Sequence, residues 1–377
     1  MQPLEAGPPR GDAGGRVRYV PSDFMPTLRA RVNQRLAEEG RSAVGGYKAL
    51  LAGIPAVIWF YASYLALVFA PLSTTAAVAL VISLGLAIPT TVTKVAHEGL
   101  HQSLTTKRWL NWGIAYVGSP LGASWHWWCA KHNNAHHAFT NVGGVDHDLE
   151  QPTLRLSPQQ SWHPWHRFQH LYVWFLYPFG TLAMVLVGDA DYIVRGRLKG
   201  RTVEHPGVAR TLALLIEKIV PAGLLVALAL TQRPALGVAA AWFGAFLVGG
   251  CAFSAMIAIG HYVETTEFPL PDAMGFVGRD WAAAQVAGSA DVHLRNPVMR
   301  WYFGGLDHHT EHHLFPRIAH RNYPAIQPVV AEACRDFGIP YHLNPDLATA
   351  LTAHARHLRR LGRSPISTVL AAAPAAR

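Results

Sequence analysis

Charge is scarce in this 377-residue sequence: Asp, Glu, Lys and Arg make up 15% of it, against roughly 25% in ordinary soluble domains. Hydrophobic residues reach 50% and mean hydropathy is +0.15. That balance excludes a disordered chain and argues against a soluble two-domain enzyme, which the length alone would allow. Cysteine is nearly absent. Cys129, Cys251 and Cys334 form no C-x-x-C pair, so neither a disulfide framework nor a thiolate metal site is indicated. Also missing is an early apolar core of a secretory signal, because residues 1–49 are polar and Arg-rich. The formal net charge is +9. In so apolar a chain, that excess suits loops on the cytoplasmic side of a membrane and does not by itself point to nucleic acid.

Long apolar runs and histidine are abundant. From Leu50 to Thr93 no residue is charged, about twice the ~20 residues that one membrane span needs. Pro71, Leu72 and Ser73 divide this run into spans at about 50–70 and 74–95. Further apolar stretches lie at about 169–188, 211–230 and 234–260. The first 49 residues carry eight Lys/Arg, which places the N-terminus in the cytoplasm. Arg195, Arg197, Lys199, Arg201 and Arg210 mark the loop 189–210 as cytoplasmic too. Parity then leaves the Tyr/Trp/Phe-rich stretch 169–188 lying in the interface, with 211–230 and 234–260 as a second hairpin. The tail after His261, with eleven Lys/Arg, returns to the cytoplasm. Four spans result, with a five-span arrangement as the rival. Glu217 and Lys218 lie two turns inside the third span, either as a polar element near a substrate tunnel or as a pair snorkelling to the helix end.

Histidine occurs 21 times and is clustered. His97-Glu98-Gly99-Leu100-His101 sits at the end of the second span, with both imidazoles on one helical face. Alone it also matches the H-E-x-x-H zinc protease motif, with Glu98 as base. Next comes His132-Asn133-Asn134-Ala135-His136-His137, which puts two imidazoles on one face of an α-helix and a third about 100° around it. Asp307-His308-His309-Thr310-Glu311-His312-His313 forms the third cluster, and His261 sits where the fourth span ends. A catalytic zinc takes three protein ligands and keeps one position open. Eight clustered histidines plus His261 exceed that number and suit two metal ions. Imidazole suits Zn, Cu, Fe and Ni alike. Neutral ligands beside a bilayer, with no obvious carboxylate bridge, favour redox activation of oxygen, hence iron.

With these clusters in view, the sequence resembles the membrane-bound fatty acid desaturase family, acyl-lipid and acyl-CoA branch. The likeness runs from about Phe24 to Tyr341 and rests on the three boxes, on His136-His137-Ala138-Phe139-Thr140-Asn141 and on Glu311-His312-His313-Leu314-Phe315-Pro316. It implies an all-α integral membrane protein of four transmembrane helices. Interfacial helices and a cytoplasmic helical cap would hold a histidine-rich di-iron site. Two Fe2+ ions would be bound by His97, His101, His132, His136, His137, His261, His309, His312 and His313. His309 stands where this branch often has Gln, and His308 is an alternative ligand to it. By the same resemblance the protein uses O2 and two electrons to remove two hydrogens from an acyl chain. The chain would be carried on CoA, on carrier protein or on membrane lipid. His205-Pro206-Gly207-Val208 resembles a cytochrome signature, but its short basic loop has no room for a haem domain. Electrons should therefore come from a separate donor such as ferredoxin and its reductase.

Carboxylates that could orient ligand imidazoles are Glu98, Asp146, Asp148, Glu150, Asp307 and Glu311, with Glu98 and Glu311 foremost because they lie inside boxes. Trp125, Trp127 and Trp128 fit either a tunnel mouth or an interfacial aromatic belt. The expected organisation is a cytoplasmic segment 1–49, a desaturase domain 50–343 and a cytoplasmic tail 344–377. Residues 1–15 and 364–377 are expected as loose ends. A lipid hydroxylase or ketolase on the same scaffold is the main competing function. An intramembrane zinc protease and a metal transporter are more distant ones.

Overall fold

The computed structural model describes residues 17–122, 124–198, 201–202 and 207–363. The expected loose ends at 1–15 and 364–377, and His205 and Pro206 of the cytochrome-like tetrapeptide, lie outside the described residues. Helix α1 (Phe24–Glu38) precedes the first long apolar helix, α2 (Gly46–Phe69). Here the sequence punctuation acts as expected. Ala70 turns extended with ψ 145°, and Ser73 caps the next helix by accepting the Ala76 N–H at 3.3 Å. Helix α3 (Thr74–Leu100) then runs past the expected end of its span and carries His97 within the same rod. Pro89 lacks the N–H that would bond one turn back, just ahead of a wide-turned π stretch at Val92–His97.

Short helices α4 (Arg108–Ala115) and α5 (Trp125–Trp128) follow, α5 running on as a π stretch, Cys129–His136. After α6 (Gln169–Leu186) and α7 (Ala190–Arg195) comes the second hairpin, α8 (Gly207–Leu230) and α9 (Ala235–His261). Among the described residues, α2, α3, α8 and α9 are the four helices long and apolar enough to cross a membrane, and α6 is not one of them. Instead α6 packs along α9, where Gly250 lets the backbones approach: a Cβ there would stand 2.2 Å from the Pro178 carbonyl oxygen. The two hairpin tips touch. Arg233 donates through Nε to the Leu67 carbonyl at 3.0 Å and through Nη2 to that of Ala70, covering carbonyls left open at the end of α2. The metal-ligand candidates His97 and His261 lie at the opposite ends of α3 and α9.

A helical cap closes that end. It comprises α10 (Trp281–Ala287), α11 (Pro297–Phe303), α12 (His309–Leu314), α13 (Tyr323–Asp336) and α14 (Leu347–Arg363). Its core joins Phe24, Leu28 and Val32 of α1 to Leu314, Tyr323, Ile326 and Val330, so part of the polar N-terminal segment is folded into the cap. Helix α14 is amphipathic and packs against α6, with His354 and His357 buried. Strand content is confined to three two-residue pairs among the described residues. Of these, Asp291–Val292 and Leu343–Asn344 pair in parallel beside α12.

Glu217 and Lys218 face different partners. Glu217 is buried against the start of α5, and Lys218 Nζ meets Asp189 at 2.6 Å. Trp125, Trp127 and Trp128 are buried beside Leu100, Ala115 and Leu214, so they form no exposed aromatic belt.

Candidate metal centre

All nine histidines singled out from the sequence are buried, and the fold brings them together. The wide turns explain part of the convergence. In an α-helix His137 would point well away from His132 and His136. In the π stretch Cys129–His136 bonding reaches one residue further back, so residues four and five apart share a face. His137 thereby joins His132, with their Nε2 atoms 3.1 Å apart. This corrects the α-helical angle expected for the second box.

Two groups emerge. In the first, ligand atoms of His97, His101, His132 and His312 lie within 4.8 Å of one another. In the second, His136, His261 and His313 do the same, and His309 reaches His261 with 2.7 Å between Nε2 atoms. His137 forms a third set with His312 and His313, which lies between the other two. Space for His309 is made by Gly260, where a Cβ would stand 2.6 Å from the ring.

Protonation decides what this arrangement can hold. His261 Nδ1 faces the Gly288 carbonyl at 3.0 Å and must carry the hydrogen. His136 Nδ1 faces Asp146 at 3.0 Å, and His313 Nδ1 faces the Gln285 Oε1 at 3.1 Å. A neutral imidazole has one N–H. In neutral His261 and His313 the Nε2 atoms are therefore bare lone pairs, yet they lie 3.1 Å apart, and the Nε2 of His136 is 3.1 Å from the same His261 atom. Lone pairs so placed repel unless a cation sits among them. With metal–nitrogen bonds of about 2.1 Å, ligands at right angles have nitrogens about 3.0 Å apart, close to what is seen. In the first group His101 Nε2 and both ring nitrogens of His312 are buried without a hydrogen-bond partner among the described residues. Such orphans are costly unless a ligand satisfies them. The residues fit two imidazole-bound metal ions.

Electrostatics agree. Burial first, and then the surrounding imidazoles, hold His132, His137, His309, His312 and His313 well below the usual histidine range, in the neutral form that binds metal. His136 differs: burial opposes its charge, but the adjacent Asp146 raises it. Asp146 is held low by the same pairing, against its burial.

Of the carboxylates singled out from sequence, Asp146 contacts a clustered ring directly, with Asp148 behind it at 3.6 Å from His136 Nδ1. Glu98 accepts the backbone N–H of His320 at 2.7 Å, so it fixes a loop and not a ligand ring. Glu311 accepts the Tyr341 hydroxyl at 2.9 Å, and burial together with Asp291 raises it well above the usual carboxyl range. Asp307 is buried near His308, 3.7 Å from its Nε2, and Glu150 is exposed. His308 points to Asp307 and Glu311, away from both groups. Three partners of the rings were not foreseen: Gln285, Thr140 and the Gly288 carbonyl. His320 was also missed. Its ring lies 5.4 Å from that of His97 and 5.8 Å from that of His312, with Nε2 buried and without a hydrogen-bond partner among the described residues. A lone histidine outside the boxes carries no spacing signal.

Comparison with known proteins adds the following. A family model described as Fatty acid desaturase matches residues 73–345. An sn-1 linoleoyl-lipid 6-desaturase of Arthrospira platensis is 28% identical over 345 residues, covering 91% of this chain and 93% of that protein. One of the same name from Synechocystis sp. is 27% identical, covering 93% of this chain and 98% of its own length. An acyl-lipid (8-3)-desaturase of Physcomitrium patens is 33% identical over 282 residues, 71% of this chain and 57% of that longer protein.

Proposed function

The chain belongs to the fatty acid desaturase family, and from that membership we propose that it desaturates acyl chains carried on membrane lipid, using two iron ions bound by the nine clustered histidines. Fatty acid desaturase activity makes it an oxidoreductase of lipid metabolism. The lipid-linked substrate is inferred from the relatives named above, which are lipid desaturases. The observation that carries the metal reading is the convergence of buried imidazole nitrogens, 2.7–3.1 Å apart, from residues 48 to 125 positions apart in sequence.

When bound, the irons supply the redox chemistry by which O2 takes two hydrogens from the acyl chain, and two electrons and two protons from a donor, leaving two waters. The chain's own residues orient and exclude. His97, His101, His132, His137 and His312 would hold one ion, and His136, His261, His309 and His313 the other. Asp146, Gln285 and the Gly288 carbonyl keep the hydrogen on Nδ1 of His136, His313 and His261, so that Nε2 faces inward. Trp128, buried 5.0 Å from His132, helps keep water out. An apolar cavity of about 270 Å³ between α2, α3 and α4, lined by Gly53, Val57, Val95 and Ile114, offers room for part of an acyl chain.

The charge bias of the basic N-terminal segment and tail supports a centre on the cytoplasmic face. They would also attract an acidic separate electron donor, of the ferredoxin type. Glu98 is engaged by the His320 backbone, and His97 and His101 share their site with His132 and His312, which counts against a single-zinc protease.

The test is lipid mass spectrometry in a host lacking other desaturases. Loss of two hydrogens with a new double bond is expected. Gain of oxygen without a double bond would instead show a hydroxylase on the same scaffold.

A further inference from the structure

We propose that Glu217, on the third span, is a positioning residue that sets the register of the second histidine box. The proposal rests on the metal reading above and extends it to a residue outside the three boxes.

Glu217 lies in the middle of α8, in a segment otherwise apolar enough to cross the bilayer. An isolated carboxylate there is expensive, so its partners carry information. Its neighbour Lys218 is occupied elsewhere, with Nζ 2.6 Å from Asp189. Glu217 instead points at the start of α5. Oε1 accepts the backbone N–H of Trp125, and Oε2 lies 2.6 Å from His126 Nδ1. On its other side the His126 ring stacks on Trp112 of α4, with centroids 5.0 Å apart and planes at 26°. Ser124 accepts the Trp127 N–H at 3.2 Å, completing the cap of the same turn.

The capped turn is continuous with the π stretch that carries the second box. Helical backbone runs without a break from Trp125 through His136. His132, His136 and His137 all ride on that rod or at its end, and they serve both metal groups. Moving the start of the rod along or about its axis would shift all three rings together. Metal sites tolerate little such movement, because the ligands must keep their distances within a few tenths of an ångström. Glu217 thus fixes, from within the bilayer helix, where the second box presents its nitrogens.

The experiment uses full-length protein purified in detergent: wild type, Glu217→Ala, Glu217→Gln and Lys218→Met. Iron per chain and the rate of iron loss to a chelator are measured, together with kcat and KM. Glu217→Ala should lose iron about tenfold faster, the lower end of effects seen for residues that orient metal ligands. Glu217→Gln keeps an oxygen for the Trp125 N–H and should fall between it and wild type. Lys218→Met should hold iron like wild type. KM should change little, with the loss appearing in kcat. Wild-type iron retention in Glu217→Ala would overturn the proposal, as would equal losses in Glu217→Ala and Lys218→Met, which would mark a general weakening of the span. A wild-type chain without iron would overturn the metal reading itself, and this proposal with it.

Discussion

The Nε2 atoms of His136 and His261 lie 3.1 Å apart although 125 positions of sequence separate the two residues. One ring comes from the second box and the other from the last turn of the fourth span. Each turns its Nε2 inward because its Nδ1 is committed, to Asp146 and to the Gly288 carbonyl. The pair thus joins the end of the fourth span to the rod that carries the second box.

Removing a ring from either group should disable the centre without unseating the helices. His136→Ala and His312→Ala should each lower desaturation at least ~100-fold, while both variants insert into membranes as wild type does. Product analysis on membranes holding matched amounts of protein checks this. Retention of most activity by either variant would show that the ligand set is misassigned.

Asp146→Asn probes orientation more gently. The amide still fills the space but no longer bears the charge that favours hydrogen on His136 Nδ1. Metal affinity should fall 10- to 100-fold, read as the chelator concentration that strips half the metal. An unchanged value would mean that Asp146 is only a turn-forming residue, through its 2.9 Å bond from the Asn141 N–H.

Adjacent histidines in the third box should behave unequally. His309 reaches His261, whereas His308 faces Asp307 and Glu311. His309→Ala should therefore cost metal and activity about as much as His312→Ala, and His308→Ala about tenfold less. Equal losses would contradict the assignment of His309 over His308.

Acid should destabilise the metal-free chain. His132, His137, His309, His312 and His313 stay neutral when folded, well below the ordinary value near 6.5. In the unfolded chain they take up protons as pH falls through about 6.5. The unfolded state then binds more protons, so stability is complete above that pH and declines progressively below it. His136, raised by Asp146, works in the opposite direction as a single group. The Tm of metal-stripped protein should drop between about pH 7.5 and pH 5.5. A level or rising Tm would contradict neutral burial.

Much of the architecture was legible because it follows from local chemistry. Leu50 to Thr93 carries no charge and Pro71 to Ser73 divides it, which yields the first hairpin from sequence alone. The boxes were legible as spacing. What spacing does not show is backbone hydrogen bonding, and the π stretches at Val92–His97 and Cys129–His136 reset the angles between rings. Orientation by neighbours was also hidden. Glu98 and Glu311 sit inside boxes yet bond to the His320 backbone and to Tyr341, whereas Gln285, in an alanine-rich helix with no motif, faces His313. The role of Glu217 was left open between two readings, because its partner Trp125 is 92 positions away and only the fold brings them together.

Elemental analysis of the purified full-length protein tests the central claim most directly. Two irons per chain, lost together with activity when His312 is replaced by Ala, is the expected result. A single zinc with no iron would contradict it.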